Sequence, residues 1–212
     1  MAIKIYEIFH SLQGESTRSG LPTVFVRLTG CPMRCTYCDT AYAFSGGGNM
    51  EVGSILSQVE TFDTQYVTVT GGEPLAQKEC YGLLTALCDA GYSVSLETGG
   101  AMDIAEVDNR VSIILDIKTP GSNEEKNVLW TNVQHIKSTD EVKFVLCSRE
   151  DYDWAKQKII ELKLEEKCTI LFSPSFHELN STELAGWVLT DKLPVRMQMQ
   201  LHKILWGEKA GV

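Results

Sequence analysis

Residues 22–38 read PTVFVRLTGCPMRCTYC. The first half has the consecutive apolar and β-branched residues of a strand that is covered on both faces. The second half carries three cysteines, Cys31, Cys35 and Cys38, with the spacing CxxxCxxC. One loop of this length can hold three thiolates around a single inorganic centre. The stretch therefore predicts a buried strand with a metal-binding loop at its carboxyl end.

The number of thiolates indicates the kind of centre. Three ligands are one fewer than the four that a closed zinc site or a fully ligated cubane cluster requires. The spacing favours an iron–sulfur cluster with one open iron, at which a small molecule can bind. A structural zinc site is the alternative, with a fourth ligand from elsewhere, such as His10 or His202.

The other cysteines do not suggest disulfides. The chain has seven cysteines, an odd number, and its N-terminal residues lack a signal-peptide pattern. Four cysteines lie singly in apolar helix or strand patterns, where buried thiols are common: Cys80, Cys88, Cys147 and Cys168. Free thiols without an export signal predict a reducing, cytoplasmic location.

Composition limits the classes of partner. The 212 residues are 43% hydrophobic, which is enough for one well-packed domain, and no apolar run is long enough to cross a membrane. The formal net charge is −9 and the basic residues are not clustered, which argues against binding to nucleic acid or to an anionic membrane. An anionic small substrate is compatible with this charge, because one well-placed Arg can hold it.

Strands and helices are predicted to alternate along the chain. The strand candidates are 22–29, 65–70, 92–97, 111–117, 142–147, 168–173 and 195–200, and the helix candidates are 51–62, 75–90, 150–164 and 181–190. Repeated strand–helix–strand units imply a mainly parallel sheet. A complete eight-unit barrel needs about 250 residues. We therefore predict an α/β fold in one domain, an incomplete, open βα barrel of the TIM type.

Ligands of parallel α/β folds gather at the carboxyl ends of the strands. Four predicted strands end in a polar or glycine-rich segment. These segments are the cysteine loop, 71–74 (GGEP), 97–100 (ETGG) and 116–118 (DIK). Paired glycines leave backbone groups bare enough to approach a ligand. The sequence therefore predicts one site at this rim.

These motifs resemble those of the radical S-adenosylmethionine superfamily. Tyr37 places an aromatic residue before the third cysteine, as in the signature CxxxCxΦC, and 71–74 is similar to the GGE motif, which contacts the methionyl amine. The resemblance extends to the 7-carboxy-7-deazaguanine synthase family over residues 5–205. It is carried by FHSLQGE at 9–15, FVRL at 25–28, Asp39-Thr40 and QLHK at 200–203. It implies a single radical S-adenosylmethionine domain over 1–212, with an N-terminal substrate segment (1–20), a cluster loop (30–40) and a C-terminal tail (203–212).

The resemblance also implies a reaction. In that family a 4Fe–4S cluster binds S-adenosylmethionine through the open iron, and reduction releases a 5′-deoxyadenosyl radical that takes hydrogen from C6 of 6-carboxy-5,6,7,8-tetrahydropterin. Ring contraction with loss of ammonia gives 7-carboxy-7-deazaguanine, a step toward queuosine and related 7-deazapurines. The further implied features are Mg²⁺, an electron donor such as flavodoxin or ferredoxin, and a homodimer.

Roles carry over from the family residue by residue. The implied cluster ligands are Cys31, Cys35 and Cys38; the S-adenosylmethionine contacts are Tyr37, Cys38, Asp39, Gly72, Asp116, Ile117 and Lys118; the substrate contacts are Leu12, Gln13, Gly14, Arg27, Thr70, Glu97 and His202; the Mg²⁺ contact is Thr40. The chain departs from the family pattern in two places: the family often has Ser-Pro-Lys where this chain has Asp116-Ile117-Lys118, and Thr in place of Leu201.

Some of these residues also have a simpler interpretation. Arg27 offers a charged fork suited to a substrate carboxylate, or it forms a structural ion pair. Its position within an otherwise apolar strand favours the ligand role, because a buried charge requires a partner. Residues 39–40 are also compatible with a helix cap or turn, and His202 with a packed or surface position.

Two other functions share the cysteine pattern. A glycyl-radical-enzyme activating protein would act on a protein partner, and a non-catalytic iron–sulfur or zinc module would transfer electrons or bind a partner. Residues 13–15 and Arg27 favour a small carboxylated pterin instead. An electron carrier does not need four converging loops. Residues 207–212 (GEKAGV) match no part of these patterns.

Overall fold

The structure is a computed structural model and describes residues 2–212. The strands are β1 (Ala2–Leu12), β2 (Pro22–Leu28), β3 (Gly48–Glu51), β4 (Tyr66–Gly71), β5 (Ser93–Thr98), β6 (Ser112–Asp116), β7 (Glu141–Leu146), β8 (Thr169–Pro174) and β9 (Arg196–Met197). The helices are α1 (Val52–Glu60), α2 (Glu79–Asp89), α3 (Arg149–Leu162), α4 (Ser181–Asp191) and α5 (Leu201–Trp206). None of the helices in this range is long and apolar enough to span a membrane.

All nine strands belong to one sheet in the order β3-β1-β2-β4-β5-β6-β7-β8-β9. The pairings from β2 to β9 are parallel, whereas β1 pairs antiparallel with both β2 and β3. The edges β3 and β9 do not pair with each other, so the sheet is not closed. The predicted α/β fold, an open βα barrel in a single domain with a mainly parallel sheet, is confirmed.

The elements that the sequence pattern missed lie at the two ends of the sheet. The first is β1, in which only Ile3 and Ile5 are fully buried, so it lacks the continuous apolar run used to predict the parallel strands. The second is β3, which has four residues and none buried. At the other end, β9 is only two residues long instead of 195–200, and α5 is too short for a helical period.

The core lies between the outer face of the sheet and the helices. In β7 the side chains alternate, so that Val142, Phe144 and Leu146 pack in this core while Lys143 and Val145 line the inner face. The fully buried Phe144 ring meets the Phe172 ring edge-on, with centroids 5.8 Å apart. Alternation of this kind places polar side chains of otherwise apolar strands inside the barrel.

The loop between β1 and β2 crosses the inner face of the sheet and is tied to several strands. Its hydrogen bonds are Gln13 Nε2 to Thr68 Oγ1 (3.2 Å), Ser16 N to Gln198 Oε1 (2.7 Å), Thr17 N to Glu141 Oε1 (3.1 Å) and Arg18 Nη1 to Ser93 O (3.0 Å). These partners belong to β4, β5, β7 and the segment after β9. The loop therefore fixes residues 13–15 inside the barrel.

Two adjacent isoleucines of α3 test how this helix packs. Ile159 is 3% exposed and lies in the core, whereas Ile160 is 74% exposed. Ile159→Ala is expected to lower the free energy of unfolding by about 2–5 kcal/mol, because it leaves a cavity. The matched control Ile160→Ala should change it by less than about 0.5 kcal/mol. Urea denaturation followed by circular dichroism measures both, and equal losses would contradict this orientation of α3.

Candidate active site

A cavity of about 350 Å³ lies at the carboxyl ends of the parallel strands. All the residues predicted to contact the cluster, cofactor, substrate or metal line this cavity, except Ile117. The Ile117 side chain is fully buried in the hydrophobic core, so only its backbone is available to a ligand. The strand-end rule therefore brings the four loop segments to one place, as the sequence predicts.

The three cysteines of the cluster loop are half-buried free thiols. Among residues 2–212, no three His, Cys, Asp or Glu side chains converge as ligands of a single metal ion do. In a cubane cluster each thiolate binds a different iron, so the thiolates need not converge on one point. Of the two histidines considered as a fourth zinc ligand, His10 lies beside the Phe62 ring and does not line this cavity, whereas His202 does. The arrangement favours a cluster over the alternative zinc site.

The electrostatic surroundings of these thiols also bear on the cluster. Burial raises the pKa of Cys31, Cys35 and Cys38, that of Cys35 to about 11, and the nearby Lys118 ammonium opposes the rise. Metal-ligating sulfur is thiolate, and a bound metal centre deprotonates its thiols by its own positive charge. The donor set and its neighbouring cation therefore fit an iron–sulfur cluster.

Glycines allow the loop after β4 to pack directly on the cluster loop. A Cβ atom at Gly72 would lie 2.3 Å from the Gly30 carbonyl oxygen and 2.7 Å from Cys31 Cβ. At Gly71, where φ is +156°, it would lie 2.4 Å from the Leu28 carbonyl oxygen. Both contacts are too close for any side chain. The position of Cys31 thus depends on the bare backbone of this loop.

Glu73 fixes the same loop from its other side and does not line the cavity. Its fully buried carboxylate accepts hydrogen bonds from Thr98 Oγ1 (2.9 Å), Gly99 N (2.8 Å) and Leu75 N (3.1 Å). Burial raises the pKa of Glu73, and these hydrogen bonds oppose the rise. Glu73 therefore joins the ends of β4 and β5, while Gly71 and Gly72 contribute the backbone that faces the cavity.

The floor of the cavity holds alternating charges. Asp116 Oδ2 lies 3.1 Å from Lys118 Nζ and 3.0 Å from Lys143 Nζ, and Lys143 Nζ lies 2.7 Å from Glu15 Oε2. The other carboxylate oxygens, Glu15 Oε1 and Asp116 Oδ1, are buried without a hydrogen-bond partner in the described chain. Such atoms are costly in a folded protein unless a ligand or water satisfies them. The floor is therefore suited to a bound polar ligand.

Beside this floor, Glu97 is held by two donors. Thr70 Oγ1 donates to Oε2 at 2.8 Å, and Gln13 Nε2 donates to Oε1 at 3.2 Å. Burial raises the pKa of Glu97, and Lys143 opposes the rise. The side-chain amide oxygen of Gln13, Oε1, in turn accepts a hydrogen bond from the backbone N–H of Glu15. The Gln13 amide is thus engaged by the protein and orients Glu97.

Arg27 combines both of the roles considered for it. Its Nε donates to Glu7 Oε1 at 2.8 Å, and the hydroxyl of Tyr42 donates to the same oxygen at 3.0 Å. The guanidinium also lies over the rings of Phe9 and Tyr42. Neither terminal amino group of Arg27 hydrogen-bonds to any residue from 2 to 212, and the side chain lines the cavity. The fork is therefore oriented by an ion pair and still has donors for an anion.

The C-terminal segment closes one side of the cavity. His202 packs so tightly on Gly14 that a Cβ atom there would lie 2.1 Å from His202 Nδ1, and Leu201 N donates to Gly14 O at 2.9 Å. Lys203 pairs with Asp39 of the cluster loop at 3.2 Å. Residues 207–212, which the sequence pattern did not place, line the cavity as well.

Thr40 follows the cluster cysteines and lines the cavity. Its hydroxyl donates to Asp39 Oδ1 at 2.8 Å. It precedes a short 3₁₀ helix, Ala41–Phe44, but its side chain makes no capping hydrogen bond there. Its hydroxyl oxygen is therefore not engaged as a cap.

Several lining residues were not predicted. Lys143 carries the same signal as Arg27, a charge within an apolar strand, and Glu15 adjoins the predicted residues 12–14. Ser175 and Phe176 follow the end of β8, where the strand-end rule also applies. No pattern in the sequence indicates residues 207–212, because their place depends on how α5 packs.

Gly72→Ala tests the close contact between the two loops. The added methyl group must displace the backbone around Gly30 and Cys31, so we expect the variant to bind less iron and sulfide after anaerobic reconstitution. The matched control is Gly82→Ala in α2, where a Cβ atom meets nothing within 4 Å. Replacing a helical Gly with Ala favours the helix by about 1 kcal/mol. Equal iron content in both variants would contradict the contact.

Comparisons with known proteins agree with this geometry. Residues 25–164 match the model of the Radical SAM superfamily. The 7-carboxy-7-deazaguanine synthase of Chlorobaculum tepidum is 47% identical over 98% of this chain and 96% of its own length. That of Methanospirillum hungatei is 40% identical, over 96% and 85% respectively.

The fold has a solved counterpart as well. The crystal structure of QueE from Escherichia coli superposes with a TM-score of 0.80 at 22% identity, covering 95% of both chains. At this identity the likeness concerns the fold. The sequence matches are closer and extend over nearly the whole chain, and they show that this chain belongs to the radical SAM superfamily and, within it, to the 7-carboxy-7-deazaguanine synthase family.

Proposed function

We propose that this protein is a lyase that converts 6-carboxy-5,6,7,8-tetrahydropterin to 7-carboxy-7-deazaguanine with loss of ammonia, on the route to queuosine or related 7-deazapurines. The observation that carries the proposal is that the three cysteines of the cluster loop share one cavity with Arg27 and Glu97. A cofactor at the cysteines and a carboxylated substrate at Arg27 would therefore lie side by side. The relatives that carry the synthase name over nearly the whole chain support it.

Membership of the superfamily implies a 4Fe–4S cluster and S-adenosylmethionine. When bound, these groups supply the one-electron chemistry that begins hydrogen abstraction from the substrate. Cys31, Cys35 and Cys38 would hold the cluster. Around the cofactor we place the cavity-lining residues Tyr37, Asp39, Gly72, Asp116 and Lys118, with Ile117 contributing only its backbone.

The substrate half of the cavity suits a flat, carboxylated heterocycle. The terminal amino groups of Arg27 would bind the substrate carboxylate, since guanidinium and carboxylate pair through two parallel hydrogen bonds. Glu97 would accept hydrogen bonds from ring N–H groups, held in place by Gln13 and Thr70. Leu12, Gly14 and His202 complete the wall.

Magnesium, an electron donor and a second subunit are parts of the same proposal. Thr40 would contact Mg²⁺ beside the substrate, because this ion prefers hard oxygen ligands and keeps several waters. Omitting Mg²⁺ from the assay should therefore slow turnover. A flavodoxin or ferredoxin in the cytoplasm would supply the electron. An open sheet with two free edges is compatible with a homodimer.

The two rival functions have less support. A glycyl-radical-enzyme activating protein needs access for a protein segment, whereas residues 207–212 and α5 cover one side of this cavity. A non-catalytic electron carrier has no use for an oriented Arg27 and a buried Glu97 beside its cluster.

An anaerobic activity assay tests the proposed reaction. Protein with a reconstituted 4Fe–4S cluster is incubated anaerobically with dithionite, S-adenosylmethionine, Mg²⁺ and the carboxytetrahydropterin, and the products are separated by liquid chromatography with mass detection. We expect 7-carboxy-7-deazaguanine, and its absence with a verified cluster would refute the proposal.

Arg27→Met tests the substrate carboxylate site. Removing a charged hydrogen-bond donor should weaken substrate binding by about 1.5–3 kcal/mol, or roughly 10- to 150-fold in KM, while the visible absorbance of the cluster stays unchanged. Arg110→Met is the matched control, because Arg110 forms half-exposed ion pairs with Asp89 and Asp108 instead of lining the cavity. An unchanged KM in the Arg27 variant would contradict the assignment of Arg27 to the substrate carboxylate.

A further inference from the structure

Lys143 is the one charged residue that β7 places on the cavity wall. Its neighbours in the strand, Val142 and Phe144, point into the hydrophobic core, so alternation turns the Lys143 side chain to the inner face. Only 12% of the side chain is exposed. A buried ammonium is costly unless it is paired and hydrogen-bonded, so its partners indicate why it is there.

Those partners come from the two halves of the site. Glu15 Oε2, at 2.7 Å, belongs to the loop after β1 that also carries Gln13 and Gly14. Asp116 Oδ2, at 3.0 Å, belongs to the end of β6, next to Lys118. Within residues 2–212, Arg27 pairs with Glu7 and Lys118 with Asp116, so Lys143 is the cation that pairs with both Glu15 and Asp116. Lys143 is thus the ionic link between these two segments, in addition to the hydrogen bonds that tie the loop to other strands.

Removing this ammonium would have a defined electrostatic effect. Glu15 and Asp116 on the floor and Glu97 beside it are three neighbouring carboxylates. Without Lys143, the cations left near them would be Lys118, which pairs with Asp116, and Arg27, whose charge acts on Glu97. Like charges close together in a site with little water repel strongly. Glu15 and Asp116 would each turn away from the other carboxylates. The loop after β1 would then be held near Glu15 by the hydrogen bonds of Gln13, Ser16 and Thr17.

We propose that Lys143 is a positioning residue for the reaction: by holding Glu15 and Asp116 on one ammonium, it fixes the distance between the bound cofactor and the bound pterin. The inference rests on the proposed function, because it assigns these ligands to the two halves of the cavity. A substrate displaced by about 1 Å can lose up to about a hundredfold in rate. In a loosened site, one electron from the reductant would still cleave S-adenosylmethionine to methionine and the 5′-deoxyadenosyl radical. The radical would then take a hydrogen atom from a C–H bond of buffer or protein instead of from the substrate, and 5′-deoxyadenosine would accumulate without product.

The variants are Lys143→Met, which keeps the length of the side chain without its charge, and Lys143→Arg, which keeps a cation able to bind two carboxylates. The control is Lys137→Met, because Lys137 pairs with Asp140 and does not line the cavity. The first measurement is the ratio of 5′-deoxyadenosine to 7-carboxy-7-deazaguanine. We expect this ratio to rise about tenfold or more in Lys143→Met, to be partly restored in Lys143→Arg, and to stay at the wild-type value in the control.

The second measurement does not depend on turnover. Calorimetric titration of the cluster-loaded protein without reductant gives the Kd of the pterin in the presence of S-adenosylmethionine. We expect the Kd to rise about tenfold in Lys143→Met, since Glu15 in the loop after β1 loses its charged hydrogen-bonding partner. Iron content and thermal midpoint are measured on the same samples.

The outcomes separate the two proposals. If wild-type protein forms no 7-carboxy-7-deazaguanine, the proposed function fails. If the wild type is active and Lys143→Met keeps both the wild-type ratio and the wild-type Kd, the role of Lys143 fails alone. It also fails if Lys143→Arg is as uncoupled as Lys143→Met, because the loss would then follow from packing and not from charge.

Discussion

The carboxylate of Asp116 lies between two ammonium groups, Lys118 and Lys143, and the organisation of the site depends on this contact. All three side chains are largely buried, so each charge must have a partner close by. Lys118 extends the chain of charges toward the cluster loop, where its ammonium lies 5.7 Å from the Tyr37 ring centre. Lys143 extends it through Glu15 toward the loop after β1. The burial of charge thus connects the cluster loop to the loop after β1, the two segments that we assign to the cofactor and the substrate.

Close backbone contacts and the hydrogen bonds of Glu73 hold the loops around these charges. Gly72 lets the loop after β4 touch the backbone of the cluster loop, and Gly14 leaves room for the ring of His202. Glu73 binds the end of β5. A side chain at Gly14 or Gly72 would force its neighbours to move, so the arrangement of the rim depends on these two glycines.

Much of this was predictable from the sequence, for physical reasons that also explain the gaps. Continuous apolar runs identify the central parallel strands, and the strand-end rule then places Cys31, Gly72, Glu97 and Lys118 at one rim. The apolar pattern does not reveal β1 or α5, because few of their residues are fully buried. It therefore does not place residues 207–212, which follow α5. Lys143 has the signal that identified Arg27, but its partners became visible only once the loop after β1 was seen inside the barrel.

If one cavity brings the cofactor next to the C6 hydrogen of the pterin, that hydrogen must pass to the adenosyl group. Substrate labelled with deuterium at C6 tests this transfer. Wild-type protein is allowed to turn over, and the recovered S-adenosylmethionine and 5′-deoxyadenosine are examined by mass spectrometry. We expect deuterium in the adenosyl group. Formation of 7-carboxy-7-deazaguanine with no deuterium in either molecule would contradict it.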